Sequence, residues 1–160
     1  MSANERVYGV ATPEQIAGMS GREALEAMIA GRLPAPPIAR LMGFELVEVG
    51  DGLAIFEGTP FPDLLNPLGV VHGGWALTLI DSAAGCAGHA TLAPGYGYTS
   101  VETKANFARP IAPDTGKVRA EGRVLTAGRR IIATEAKITD SRGRIVAHGT
   151  STLIVFPPGG

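Results

Sequence analysis

The spacing of apolar residues changes its period along the chain. Residues 13–31 carry Leu25, Met28 and Ile29 on one helical face. Thr12 precedes Pro13-Glu14-Gln15 with the side chains of a capping box and proline at the first helical position. This predicts a helical arm, ended by Leu33-Pro34-Ala35-Pro36-Pro37 and followed by a short turn at Ile38–Met42. From Phe44 the period becomes two. Phe44–Val49 and Leu53–Gly58 flank Gly50-Asp51-Gly52, a hairpin signal. Pro60, Pro62 and Pro67 mark a loop, and a small-residue apolar run then predicts a helix over residues 73–91. Four alternating segments, 97–107, 115–126, 130–139 and 144–156, read as strands, with Gly128 in one turn and Asp140-Ser141-Arg142-Gly143 in another.

A helix that is apolar on every side has to be enclosed. A curled antiparallel sheet wrapped around it meets that need. The order of elements therefore predicts an α+β fold: an N-terminal helical arm over residues 1–37, one domain over 38–156, and a tail at 157–160. At 160 residues there is enough chain for one domain with a substantial core.

Composition narrows the function classes. The 14 Lys and Arg nearly balance the 15 Asp and Glu, and no long basic run exists, so a nucleic-acid partner is not expected. Near-zero net charge also does little to hold copies apart. The single cysteine, Cys86, has no partner for an intramolecular disulfide, and no Cys/His spacing suits a metal ion. Met1–Arg6 lacks the apolar core of a signal peptide. Residues 73–93 approach the length of a membrane span, but they carry Asp81 and His89 and have no aromatic belt or basic flank. They read as a buried helix, with no membrane partner and a cytoplasmic location expected.

Asp81 is the conspicuous residue of that helix. A carboxylate among apolar residues costs several kcal/mol unless it is paired, hydrogen-bonded or protonated. It reads equally as a buried structural acid or as a catalytic carboxylate. Upstream, His72-Gly73-Gly74 opens the helix. The glycines admit close approach of a ligand and offer N–H groups at the positive end of the helix dipole, suited to a carbonyl that becomes an oxyanion; a plain glycine turn is the alternative. Asn66 stands before Pro67, where its amide would orient a water or carbonyl, or else simply close an Asx-turn.

Helix geometry links these features. Asp81 lies eight residues past Gly73, roughly 12 Å along the axis at about 1.5 Å per residue. A carbonyl held by the glycine N–H groups is then out of reach of Asp81 in the same helix, because an attacking water must lie within roughly 3–3.5 Å of the carbonyl carbon. An antiparallel second copy of the helix closes the gap. An enzyme using both features is therefore expected to be a dimer with two equivalent shared sites.

Asn66, Gly69, His72, Gly73, Gly74 and Asp81, in this order and spacing, resemble the hotdog-fold acyl-CoA thioesterases of the phenylacetate-degradation type. The resemblance runs on through Arg109-Pro110, Gly128-Arg129-Arg130 and Gly143–Gly149 and covers residues 38–156, while the arm is similar to that of one bacterial subgroup. It implies a hotdog fold and hydrolysis of an aryl- or medium-chain acyl-CoA to the free acid and coenzyme A, with no cofactor beyond the coenzyme A of the substrate. It implies Asp81 as base or nucleophile, Gly73 as the carbonyl-polarising N–H, Asn66 and His72 as orienting groups, and Ser100 as support for the water near the acid. Gly74, Phe107, Arg109, Gly128, Arg129 and Arg130 would bind the substrate, the arginines through coenzyme A phosphates. The family's commoner assembly is a homotetramer built as a dimer of dimers. Candidates for the acyl pocket are Trp75, Leu65, Leu79, Met28 and Leu41, all core-like by type.

Two rival functions use the same fold. A hotdog hydratase or dehydratase needs an acid–histidine pair, and His89 lies eight residues from Asp81. A non-catalytic acyl-CoA-binding protein would have no evident use for Asp81. Cys86 reads as an inert buried thiol, since no histidine lies at pairing distance. His148 reads as structural or exposed.

Overall fold

A computed structural model describes residues 6–159. Met1–Glu5 and Gly160 lie outside them, and with them most of the segment expected to lack a signal-peptide core. The chain forms α1 (Pro13–Ile16), α2 (Gly21–Ile29), α3 (Pro37–Met42), β1 (Phe44–Gly50), β2 (Leu53–Gly58), α4 (Gly73–His89), β3 (Gly97–Phe107), β4 (Val118–Ala127), β5 (Ile131–Thr139) and β6 (Ile145–Phe156). The six strands make one sheet in the order β1-β2-β4-β5-β6-β3, and every pairing is antiparallel. No helix among the described residues is long and apolar enough to cross a membrane.

The arm is two helices rather than the one expected over 13–31. Gly18 adopts a φ of 77°, in the left-handed region that glycine enters without strain, and the chain breaks there. Ser20 then caps α2, accepting from the Glu23 N–H while the Glu23 carboxylate accepts from the Ser20 N–H, as Thr12 and Gln15 do for α1. Several strand ends differ by one residue, and three differences are larger. The turn at 38–42 is a full helix, α4 ends at His89, and β4 starts at Val118 because Ala112 and Thr115 close a turn before it.

The sheet curls around α4, whose Trp75, Ala76, Leu79, Ile80, Ala83, Ala84 and Ala87 are buried against Phe44, Leu46, Phe56, Val118, Ala120 and Ile138. Small residues let backbone meet backbone. A Cβ added at Gly122 of β4 would lie 2.1 Å from the Ala83 carbonyl oxygen, and one at Gly88 of α4 would lie 2.3 Å from a Leu153 methyl. The arm joins the same core. Leu25 and Ala39 are buried in it, and the Gly21 N–H bonds the Leu92 carbonyl just past the end of α4.

Candidate active site

The candidate residues lie at the first turn of α4 and in the middle of that helix. The loop before α4 is braced from both sides. Asn66 Oδ1 accepts the N–H groups of Leu68 (2.9 Å) and Val70 (3.3 Å), while Gly69, at φ 78°, turns the chain back. Asn66 therefore closes an Asx-turn, and its amide nitrogen is the part of the side chain left for another partner. The Val71 N–H bonds the Ile111 carbonyl and the His72 N–H the Leu64 carbonyl, which fixes the entry to the helix.

His72 is the N-cap. Its Nδ1 accepts the Gly74 N–H at 2.8 Å, and its carbonyl accepts from Trp75. Two free glycine donors were expected; one is consumed by the histidine. Among the described residues the Gly73 N–H has no acceptor, so it is the donor left for a carbonyl. It opens onto a cavity of about 190 Å³ lined by Val71, His72, Gly73, Ala76, Phe107, Arg109 and Pro110, among others. Phe107, 57% exposed, lays its ring edge against Gly73, where an added Cβ would lie 3.1 Å away. Arg109 is tied down by a 2.6 Å bond from Nη1 to the Ile145 carbonyl.

Asp81 is half-buried rather than enclosed. Its Oδ1 accepts the Thr103 hydroxyl at 2.7 Å, and Thr103 Oγ1 lies 2.9 Å from Ser151 Oγ. The acid is thus hydrogen-bonded within its own chain, to β3. Thr103 escaped the sequence reading, which placed the supporting hydroxyl at Ser100. Among the described residues Ser100 makes no side-chain hydrogen bond, and it pairs with Leu153 at a bulge in β3. Thr103 lies past a bulge between Ser100 and Glu102 that shifts the alternation of β3, and its hydroxyl, unlike that of Ser100, bonds a side chain of α4.

Because α4 is unbroken from Gly73 to His89, the separation of Asp81 from Gly73 stands at roughly 12 Å of helical rise. Sheet register separates other candidates too. Phe107 pairs with Ala147 near the start of α4, whereas Ile131 pairs with Ile154 near its end, where Gly88 meets Leu153 and Ile132. The turn of Gly128, Arg129 and Arg130, closed by a bond from the Gly128 N–H to the Ile131 carbonyl, therefore lies at the far end of α4 from the Gly73 cavity. One chain brings Arg109 and Phe107 to that cavity and leaves Arg129 and Arg130 away from it.

The remaining polar groups of α4 do not form an acid–base pair with Asp81. His89 packs on the Tyr98 ring with centroids 5.4 Å apart, its Nδ1 is buried without a partner, and burial lowers its pKa. Burial pushes the Cys86 thiol up to about 12, the Tyr98 hydroxyl hydrogen bond opposes this, and Asp81 adds to it. Burial, then Cys86 and Asp81, also raise Tyr98 well above its ordinary value. Of the proposed acyl-pocket residues, Trp75 and Leu79 are core, Trp75 donating to the Met42 carbonyl at 2.7 Å, and Leu41 is exposed. Met28 lines a separate apolar cavity of about 70 Å³ with Leu25, Leu46, Phe56 and Cys86. His148 is exposed on β6.

A six-stranded antiparallel sheet curled around a single long helix, with a glycine-led helix start, is the hotdog fold. Residues 68–147 match the Thioesterase superfamily, and the chain belongs to that family and is a thioester hydrolase. A candidate esterase of Mycobacterium tuberculosis is 33% identical over 128 residues, 75% of this chain and 90% of that protein. A solved Ralstonia eutropha protein, a candidate thioesterase related to phenylacetic acid degradation, superposes with a TM-score of 0.74 at 25% identity, covering 81% of this chain and 98% of the other. A Streptococcus mutans protein solved with acetyl-CoA bound shares the fold, with a TM-score of 0.66, 24% identity and coverage of 72% and 90%.

Proposed function

We propose that the chain hydrolyses an aryl- or medium-chain acyl-CoA, with Asp81 activating the water and the Gly73 N–H of a second copy holding the thioester carbonyl. The observation that carries this reading is the pairing of an open helix-start donor with a hydrogen-bonded carboxylate too far along the same helix to serve the same carbonyl. The Asp81 carboxylate takes a proton from water, and the water oxygen bonds to the thioester carbon. The carbonyl oxygen carries negative charge at the Gly73 N–H. The carbon–sulfur bond then breaks and the sulfur leaves with the proton. The Streptococcus mutans neighbour supports coenzyme A as the thiol, and the reading uses no other cofactor.

The second copy has a place to dock. Among the described residues β3 is an edge strand of eleven residues whose outer side pairs with no strand, with Val101 52% and Phe107 57% exposed along it. Long bare edges invite pairing with another chain. Antiparallel pairing of two β3 strands about a two-fold axis sets the two α4 helices antiparallel and brings Asp81 of each toward the Gly73 end of the other. It also carries the Arg129–Arg130 turn of one copy toward the Gly73 cavity of its partner, where the arginines would meet coenzyme A phosphates. A tetramer would pair two such dimers.

Thiol release from a panel of aryl- and alkyl-CoA esters tests this. Wild type should release thiol from at least one class, and Asp81→Asn should lose about 10²–10⁴-fold in kcat. An Asp81→Asn variant as fast as wild type would remove the acid from the mechanism. No turnover of any CoA ester would move the substrate to another thiol carrier.

A further inference from the structure

A row of hydroxyls crosses the inner face of the sheet directly behind Asp81. Thr103 of β3 pairs with Ser151 of β6, and Ser151 pairs with Thr134 of β5, so the three stand in register across adjacent strands. Ser151 is 2% exposed and Thr134 not at all. Their neighbours on the same strands, Ile132, Ala136, Leu153 and Ala147, are apolar and buried. Buried hydroxyls in such a face are costly unless bonded, and valine or alanine would fill the same space. Among the described residues the one charged side chain hydrogen-bonded to the row is Asp81, at one end.

Proton bookkeeping fixes its direction. An ionised carboxylate only accepts, and each hydroxyl has one proton to give. Thr103 lies between Asp81 Oδ1 at 2.7 Å and Ser151 Oγ at 2.9 Å, so its proton goes to Asp81. Ser151 then supplies the proton for its contact with Thr103, sharing it with the Glu102 carbonyl at 2.9 Å. Thr134 does not compete, because its hydroxyl donates to the Ser151 carbonyl at 3.1 Å. Donation ends at Asp81: Thr103 gives it its proton, and Ser151, whose one proton is divided between Thr103 and the Glu102 carbonyl, backs Thr103.

We infer that Thr103, backed by Ser151, is a positioning residue for hydrolysis: it holds Asp81 Oδ1 and leaves Oδ2, which accepts no bond among the described residues, to take the proton of the attacking water. The inference rests on Asp81 being the base. Neither hydroxyl touches the substrate. Both act through the geometry of the acid, and a reacting group set askew by a fraction of an ångström loses rate without losing affinity.

The test compares Thr103→Val, Thr103→Ser, Ser151→Ala and Asp81→Asn on a CoA ester that wild type hydrolyses, with thermal unfolding as a check on folding. Thr103→Val should lower kcat by about 10- to 100-fold with KM changed by no more than about twofold. Thr103→Ser should recover most of the loss, Ser151→Ala should show a smaller loss in kcat alone, and Thr103→Val should cost nothing further in an Asp81→Asn background. Wild-type kcat in Thr103→Val, or a folded Thr103→Ser as slow as Thr103→Val, overturns the inference while leaving Asp81 as the base. An Asp81→Asn variant as fast as wild type removes the base and this inference together. If Thr103→Val does not fold, Ser151→Ala decides, and an unchanged kcat there counts against the row.

Discussion

His72 Nδ1 and the Gly74 N–H are joined at 2.8 Å, so the side chain that opens α4 also removes one of the two glycine donors from the substrate side. The histidine thereby leaves Gly73 as the donor on offer, and it does so as an acceptor through Nδ1. The same bond satisfies a helix-start N–H that would otherwise be unmet.

His72→Ala is expected to lose that cap. N-cap removal costs about 1 kcal/mol, which for a domain of this size lowers Tm by roughly 2–4 °C. Activity should fall further than stability, because the loop that aims Gly73 is released as well. Differential scanning calorimetry beside kinetics separates the two, and an unchanged Tm would show that the cap contributes nothing.

The proposed sharing of sites between two copies makes a quantitative prediction for mixed subunits. Asp81→Ala removes the acid, and Gly73→Val drives a side chain against the Phe107 ring and across the remaining donor. Each variant alone should be inactive. After subunit exchange half of the dimers are mixed, and each of these holds one intact site, so about a quarter of wild-type activity should return. Proven exchange with no recovery would place both groups in one chain's site.

The Cys86 thiol, pushed up to about 12, is protonated at any physiological pH. Only the thiolate is a nucleophile. The native protein should therefore react slowly with a thiol-specific disulfide reagent at pH 8, and at once in denaturant. Fast labelling of the folded protein would show the thiol to be more open than its burial implies.

Acid stability has one identifiable contributor in the turn between β5 and β6. Burial alone would raise the Asp140 carboxyl, which is 7% exposed, but the Arg144 N–H and guanidinium and the Arg142 N–H outweigh it and hold it below its ordinary value. A carboxyl lowered in the folded state stabilises above its unfolded pKa, near 4, and that contribution disappears as pH falls through the lower folded value. Urea unfolding of wild type should weaken below about pH 4, and Asp140→Asn should be less stable at pH 7 with a flatter dependence there. Parallel curves for the two proteins would argue against it.

The fold was legible because each element announced itself locally. Gly50-Asp51-Gly52 marked the hairpin, and the apolar small-residue run marked α4. Thr12 and Gln15 marked a cap that is present as read. The misses came from interactions that sequence spacing does not carry. Gly18 broke a helix whose apolar spacing ran on, because a left-handed turn outweighs periodicity. The Gly74 donor was lost to a side chain two residues away whose rotamer no pattern encodes. Thr103 was overlooked because a bulge between Ser100 and Glu102 shifts the alternation of β3, and a bulge is a property of two strands rather than one. Arg129 and Arg130 were legible as a turn, but only the register of β5 on β6 places that turn at the other end of the helix from Gly73.

Where Gly122 meets Ala83 and Gly88 meets Leu153, no methyl group of spare room lies between helix and sheet. The backbone contact at Gly122 in particular leaves no room for a larger residue there. Sequence change that retunes the enzyme toward a different acyl group is therefore channelled to the periphery: the arm around Met28, the loop before α4, and the rim at Phe107. Relatives with different substrates should accordingly diverge at those borders while their helix–sheet contacts stay small.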